Sequence, residues 1–306
     1  MAKAHTAVDE ITKGGAFKRT ASGFRAIVAE GSATYPPAAG RYHLYVSLAC
    51  PWAAGCLTAL RLKGLEDAIG YSAVHPTWGR TRPDDPDDQH CGWHFRAPGG
   101  DAVPNPAGFG AIECDDANVP CPLGCKTIRD LYEKSTVEDR WCKYTTPVLW
   151  DKETNAIVNN ESTEILRMLD TAFQAHAKRP EVTLHPAAAE DESRELNTWI
   201  YANINNGVYR AGFAKSQAAY DAAVDDVFGA LGRADALLAK SRFICGRTAP
   251  DAFTWLDLRL FQTLVRFDPV YNARQDSAED FFRRLKVQRC TAMAWIFIPV
   301  YCSANS

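Results

Sequence analysis

The sequence predicts two domains in tandem, an N-terminal α/β domain followed by an all-α one. Between residues 41 and 173 short strand-like runs alternate with helical ones, whereas from 189 onward only the helical spacing of apolar residues survives. The 306 residues also suit two domains at roughly 150 residues each. With 34 basic against 37 acidic side chains and a net charge of −3, no general attraction to nucleic acid or to an anionic membrane is expected.

Residues 1–40 read as a polar N-terminal extension ending in the turn-rich Tyr35-Pro36-Pro37-Ala38-Ala39-Gly40. Arg41 to Leu48 alternates as a strand does. Pro51 then suits the first turn of a helix whose apolar residues run from Trp52 to Leu62. Ile69 to His75 reads as a second strand, parallel to the first because a helix separates them. Residues 76–125 are rich in Pro, Gly and Asp and lose all periodicity, the texture of a long insertion. Lys126–Ser135 is a short helix, Pro147–Trp150 and Ala156–Val158 form a hairpin around Asp151–Asn155, and Glu161–Phe173 is an amphipathic helix. That order matches a thioredoxin-like domain over 41–173. Residues 174–188, with Pro180 and Pro186, read as a linker to a helical domain over 189–306, with helices near 189–205, 216–240 and 253–266.

The N-terminal segment lacks the apolar core of a signal peptide and carries early acidic residues, unlike a transit peptide. The longest apolar stretch, Ala292 to Cys302, is short of the roughly 20 residues a bilayer span needs and contains Pro299. A cytoplasmic, reducing setting is therefore expected, in which the ten cysteines are free, catalytic or metal-bound rather than bridged. Cys114, Cys121 and Cys125, with Cys91 or His90, suggest a metal site, but their spacing lacks paired C-x-x-C knuckles and no metal is expected.

Cys50 stands at a strand-to-helix junction, where unpaired backbone N–H groups and the helix dipole favour a thiolate. Ala53 occupies the position of the second cysteine in a C-x-x-C motif, so a mixed disulfide on Cys50 needs an external thiol to resolve it. The alternative is a small buried core thiol. About a hundred residues later, Thr146-Pro147-Val148 places a proline before a strand, where a cis bond would present the Val148 backbone to an extended ligand. Asn160-Glu161-Ser162 opens a helix, so the Glu161 carboxylate, the Ser162 hydroxyl and free N–H groups suit an amino-acid head group. Together these features would grip a small γ-glutamyl peptide with its sulfur toward Cys50. The competing role of Glu161 and Ser162 is helix capping alone.

These residues resemble the glutathionyl-hydroquinone reductases, the Xi class of glutathione transferases. The resemblance rests on GGAFKRTASGFR (14–25), RYHLYVSLACPWA (41–53), LKGLEDAIGYSAVHP (62–76), Gly92, Trp93 and Phe95, IRDLYEKS (128–135), TPVLWDKETNAIVNNESTEILRML (146–169), INNGVYRAGFA (204–214) and LRLFQTLVRFDPVY (258–271). It implies a thioredoxin-like domain followed by a glutathione-transferase-type helical domain, glutathione as cosubstrate, and a homodimer. It also implies reduction of glutathionyl-hydroquinones through a Cys50–glutathione disulfide that a second glutathione resolves. Carried over residue by residue, it assigns glutathione binding to Trp93, Val148, Glu161 and Ser162. The aromatic substrate site falls to Tyr201 and Tyr271, with Tyr209 as a third, and a tyrosine hydroxyl there would hydrogen-bond the hydroquinone oxygen and assist protonation of the ring carbon. Interhelical packing is the other use for these tyrosines, and the reading preferred for Tyr209.

Two departures accompany the likeness. Where the family carries a basic residue two positions after CPWA, this chain has Gly55, and the resemblance fades over 272–306. The sequence leaves two other functions standing: a glutathione-dependent thiol transferase acting on mixed disulfides, and a transferase-like protein that binds without catalysis.

Overall fold

A computed structural model describes residues 7–104, 110–135 and 143–272. Residues 273–306, with Cys290 and Cys302, and the segment containing Cys142 lie outside the described residues. The chain divides into two compact units, one of residues 21–182 and one in which residues 7–20 join the chain from 183 onward. The segment ahead of the first strand is thus shared between the units.

In the first unit β1 (Tyr42–Ser47) leads into α1 (Pro51–Lys63) and β2 (Gly70–Val74). Two small hairpins follow, β3 (Trp78–Arg80) with β4 (Cys91–Trp93) and β5 (Val103–Pro104) with β6 (Ala111–Ile112). Then come α2 (Ile128–Ser135), the hairpin of β7 (Val148–Asp151) and β8 (Ala156–Asn159), and α3 (Ser162–Thr171). The main sheet has the order β2-β1-β7-β8, with β1 and β2 parallel and the other neighbours antiparallel. This is the thioredoxin-like arrangement. The hairpins break up what the sequence predicts as an irregular insertion, because strands of two or three residues are too short to show a period of two.

One face of the sheet offers Tyr45, Val148, Trp150 and Ile157 to Ile128, Leu131 and Tyr132 of α2. Alternation sends Tyr42, Leu44 and Val46 to the other face, where Tyr42 meets Phe173 just past α3 edge-on at 5.5 Å. There α1 packs against α3, pinned by a fully buried ion pair of Lys63 and Asp170 at 3.2 Å. Lys63 also donates to Gln174 Oε1 at 2.5 Å and the Val182 carbonyl at 2.6 Å, which satisfies an ammonium that would otherwise be costly to bury. α1 stops at Gly64, whose φ of 66° closes the helix with its N–H on the Arg61 carbonyl. A Cβ at Gly64 would meet Lys178 Cβ at 2.8 Å, so both backbone and space call for glycine.

Residues 24–26 run along the outer edge of β8: the Ala26 N–H donates to the Val158 carbonyl at 3.1 Å and the Asn160 N–H to the Phe24 carbonyl at 3.0 Å. The segment that reads as a polar lead-in therefore covers a sheet edge.

The second unit holds α4 (Glu190–Trp199), a π-turn over Ile200–Asn205, α5 (Gly207–Gly212), α6 (Gln217–Leu238), α7 (Trp255–Leu264) and a second π-turn over Phe267–Asn272. The helix expected to continue to residue 205 widens after Trp199. Asn205 explains the departure, since its side-chain amide donates to the Arg259 carbonyl at 3.1 Å and Thr263 Oγ1 at 2.8 Å, holding the turn against α7. α7 begins with a reciprocal cap in which Thr254 and Asp257 each bond the other's backbone. No helix among the described residues is long and apolar enough to cross a membrane.

Candidate active site

Cys50 sits where β1 turns into α1. Its N–H donates to the Ser47 carbonyl at 3.1 Å, and its own carbonyl accepts from Ala54 at 2.9 Å. With φ −91° and ψ 115° it is the N-cap residue, Pro51 follows in the first turn, and no side chain caps the helix. The sulfur therefore lies at the positive end of the α1 dipole, beside N–H groups that have no acceptor within the helix. Sγ is half-buried and lies 3.6 Å from the Thr146 carbonyl, to which the thiol donates. The next peptide bond, Thr146–Pro147, is cis. Ala53 is fully buried, and the next thiol on α1, Cys56, is buried and donates to the Ser162 carbonyl at 3.4 Å.

The other residues expected to bind glutathione belong to this same unit. Val148 opens β7 and pairs with Tyr45 of β1, while the β8 pairing begins only at Leu149. Glu161 is the N-cap of α3, its Oε1 accepting from the Thr163 N–H at 3.3 Å. Its Oε2 takes the Ser22 hydroxyl at 2.9 Å. Capping is thus one observed role of Glu161, and it leaves room for another, since an ionised carboxylate offers about four lone-pair sites. Ser162 is buried in the first turn of α3. Trp93, on β4, meets Trp78 edge-on at 5.2 Å and packs against the cluster that contains Tyr45 and Val148.

A hydrogen-bonded chain absent from the sequence expectations ties these segments together. Asn160 Oδ1 accepts from the Phe24 N–H at 3.1 Å and its Nδ2 donates to the Tyr132 hydroxyl at 2.9 Å. Tyr132 in turn donates to the Thr145 carbonyl at 3.0 Å. Thr145 precedes the carbonyl that receives the Cys50 thiol, so the start of α3, α2 and the Cys50 turn are linked through polar groups. The matching segments 14–25, 128–135 and 146–169 contain Ser22, Phe24, Tyr132 and Asn160, which was the available signal, but no periodicity or spacing marks such a network.

The three tyrosines lie in the second unit. Tyr209 on α5 and Tyr271 in the last π-turn approach with ring centroids 6.1 Å apart, and Tyr209 stacks on Phe213 at 6.4 Å. Tyr201 lies under the guanidinium of Arg259, 5.5 Å from its ring centre. Arg19 covers Tyr209 at 4.7 Å, a neighbour the sequence did not announce.

The remaining described cysteines have different surroundings. Burial, with Cys121 beside it, pushes the Cys125 thiol up to about 12. Burial also raises Cys245, whereas Cys91 is exposed. Cys114 donates to the Asp101 carbonyl at 3.3 Å and Cys121 to the Tyr45 hydroxyl at 3.7 Å. Among the described residues no three metal-ligating side chains come together.

Comparison with known families matches residues 49–172 to the glutathione S-transferase N-terminal domain and residues 217–286 to the glutathione S-transferase C-terminal domain. The second match passes beyond Tyr271, where the matching segments of the sequence end. The glutathionyl-hydroquinone reductase YqjG of Escherichia coli is 40% identical over 270 residues, which cover 86% of this chain and 73% of that protein. Among solved structures, the glutathione S-transferase Xi of Phanerochaete chrysosporium aligns with a TM-score of 0.69 at 40% identity, covering 84% of this chain and 78% of its own. The glutathione-bound structure of YqjG aligns with a TM-score of 0.71 at 35% identity, covering 92% of this chain and 83% of its own. The chain belongs to the glutathionyl-hydroquinone reductases, the Xi class of glutathione transferases.

Proposed function

We propose that the protein reduces glutathionyl-hydroquinones to hydroquinones at the expense of glutathione. In its keto tautomer the glutathionyl-hydroquinone has moved a hydroxyl proton onto the sulfur-bearing ring carbon. The Cys50 thiolate attacks the glutathionyl sulfur, an S–S bond forms as the carbon–sulfur bond breaks, and the electron pair passes through the ring to the oxygen. That oxygen takes a proton and hydroquinone departs. A second glutathione thiolate attacks the Cys50–glutathione disulfide, yielding oxidised glutathione and restoring the Cys50 thiolate. One glutathionyl-hydroquinone and one glutathione thus give one hydroquinone and one oxidised glutathione.

The observation that carries this reading is the lone thiol: Cys50 stands at the N-cap position of α1, and its C-x-x-C partner position is the buried Ala53. Such a site forms a mixed disulfide and leaves its resolution to a free thiol. Glu161, Ser162, the Val148 backbone and Trp93 would hold glutathione. Tyr201, Tyr209 and Tyr271 would line the aromatic site, donating a hydroxyl to the hydroquinone oxygen. The consumption of reduced glutathione suits a cytoplasmic setting, and the family likeness supports a homodimer.

Glutathionyl-menadiol with glutathione is the test. Stoichiometric menadiol and oxidised glutathione are expected, with at least a hundredfold loss of turnover in Cys50→Ser. Turnover restricted to hydroxyethyl disulfide would favour a thiol transferase, and glutathione binding without turnover of either compound would favour a non-catalytic protein.

A further inference from the structure

The N-terminal arm belongs to the helical unit. Glu10 accepts from the backbone and hydroxyl of Thr20, and its carbonyl accepts from the Lys18 N–H at 2.9 Å, closing residues 10–20 on themselves. The arm then latches onto the loop between α5 and α6. Lys215 N–H donates to the Gly15 carbonyl at 2.8 Å and the Ser216 hydroxyl to the Gly14 carbonyl at 2.9 Å. Gly15 has φ +80°, and a Cβ there would meet the Ser216 backbone nitrogen at 2.9 Å. Phe17 packs on Phe213 with centroids 5.2 Å apart.

This arrangement delivers one cation to the tyrosine wall. Arg19 Nε donates to Asn206 Oδ1 at 2.8 Å, and its guanidinium carbon stands 5.3 Å from the Phe17 ring centre and 4.7 Å from that of Tyr209. Asn206 and Tyr209 are three residues apart at the start of α5, so they share a face and one side chain can engage both.

We propose that Arg19 is a positioning residue for the reductase reaction: it fixes the Tyr209 ring and makes its hydroxyl a stronger donor to the hydroquinone oxygen. The inference rests on the function proposed above. As the carbon–sulfur bond of the keto tautomer breaks, the released electron pair passes through the ring and leaves negative charge on its oxygen. The Tyr209 proton is drawn toward that oxygen, the phenol ring becomes richer in electrons, and the attraction of the guanidinium for its face grows. An interaction that strengthens only as charge develops lowers the barrier without tightening substrate binding.

Steady-state kinetics of Arg19→Met, Arg19→Lys, Tyr209→Phe and the Arg19→Met/Tyr209→Phe double variant test this. With glutathionyl-menadiol, Arg19→Met is expected to lower kcat by about tenfold, within the range of a desolvated cation–π contact, with KM within about twofold. Arg19→Lys, which keeps the charge, retains at least about half of kcat. In the Tyr209→Phe background the Arg19→Met substitution changes kcat by less than about twofold, because the hydroxyl it serves is gone. Hydroxyethyl disulfide has no ring to place, and its turnover is expected to survive Arg19→Met. An undiminished kcat, a change confined to KM, an undiminished effect in the Tyr209→Phe background, or an equal loss with both substrates would overturn the proposal. Failure of the unsubstituted protein to turn over glutathionyl-menadiol removes the underlying function and this inference with it; normal turnover with an indifferent Arg19→Met removes the inference alone.

Discussion

The two units hold their candidate functional groups by different means. In residues 21–182 the backbone does most of the placing: Cys50 and Glu161 are N-caps, Ser162 lies in a first turn, and Val148 opens a strand. In the helical unit the candidates are rings on separate elements, with Tyr209 on α5, Tyr271 past α7, and Arg19 brought in on the arm. Main-chain amides at helix starts suit a peptide, whose charges and amide groups are the same in every glutathione adduct. Aromatic side chains suit a ring that varies between substrates, since stacking and edge contacts tolerate change. Under the proposed function, the first set would serve the constant half of the substrate and the second its variable half.

The units should also part company in acid. In the first, burial pushes His43 down to about 4, and its Nε2 contacts Ser72 Oγ at 2.9 Å. Ser72 gives its own proton to the Pro120 carbonyl at 2.7 Å, so the neutral imidazole is the donor to Ser72. Between pH 6.5 and 4 the unfolded chain binds this proton and the folded one does not. Stability is full above that window and falls by up to about 3 kcal/mol as pH drops through it. Against the upward push of burial, Arg129, Arg82 and Arg41 hold Asp88, Asp130 and Asp151 below the usual carboxylate range, which adds loss at lower pH. In the helical unit burial raises Asp257 to about 6. There the folded state takes the proton first, so this group favours folding as pH falls from 6 to below 4. Peptide-resolved hydrogen exchange at pH 7 and 4.5, corrected for intrinsic rates, is expected to show β1 and β2 losing protection while α7 holds or gains it. Equal losses in both would break the contrast, and His43→Gln should lessen the first unit's dependence, leaving the share of His90 and His94, which burial also pushes down.

Substitutions at the binding groups give smaller effects that sharpen the same division. Glu161→Gln removes a charge facing the expected glutathione amine and is expected to weaken glutathione binding by roughly tenfold to thirtyfold in titration calorimetry. Tyr271→Phe should leave that affinity unchanged and lower kcat with glutathionyl-menadiol by several-fold, about 1 kcal/mol. Gly64→Ala forces a side chain into a left-handed conformation and against Lys178, costing about 1–2 kcal/mol in urea unfolding with neither kinetic constant altered.

The same division explains what the sequence made legible. Cys50, Glu161 and Ser162 announced themselves because caps and first turns leave local signatures, and the main sheet followed from alternation and the helix between parallel strands. The hairpins of the insertion and the π-turn at Ile200–Asn205 did not, since the former are too short to have a period and the latter depends on Asn205 reaching α7. Ser22 and Arg19 lie in a lead-in with no helical or strand pattern, and their partners are 139 and 187 residues away. Contacts at such separations belong to the packed chain, not to any window of sequence.

The central claim, that Cys50 itself carries glutathione between the two steps, is most directly tested by mass spectrometry in the absence of free glutathione. Reduced protein mixed with one equivalent of glutathionyl-menadiol should release one equivalent of menadiol and acquire one glutathionyl group, mapped to Cys50 and removed by added glutathione. Menadiol release without an adduct, or an adduct mapped to the exposed Cys91 while Cys50 stays free, would contradict the account.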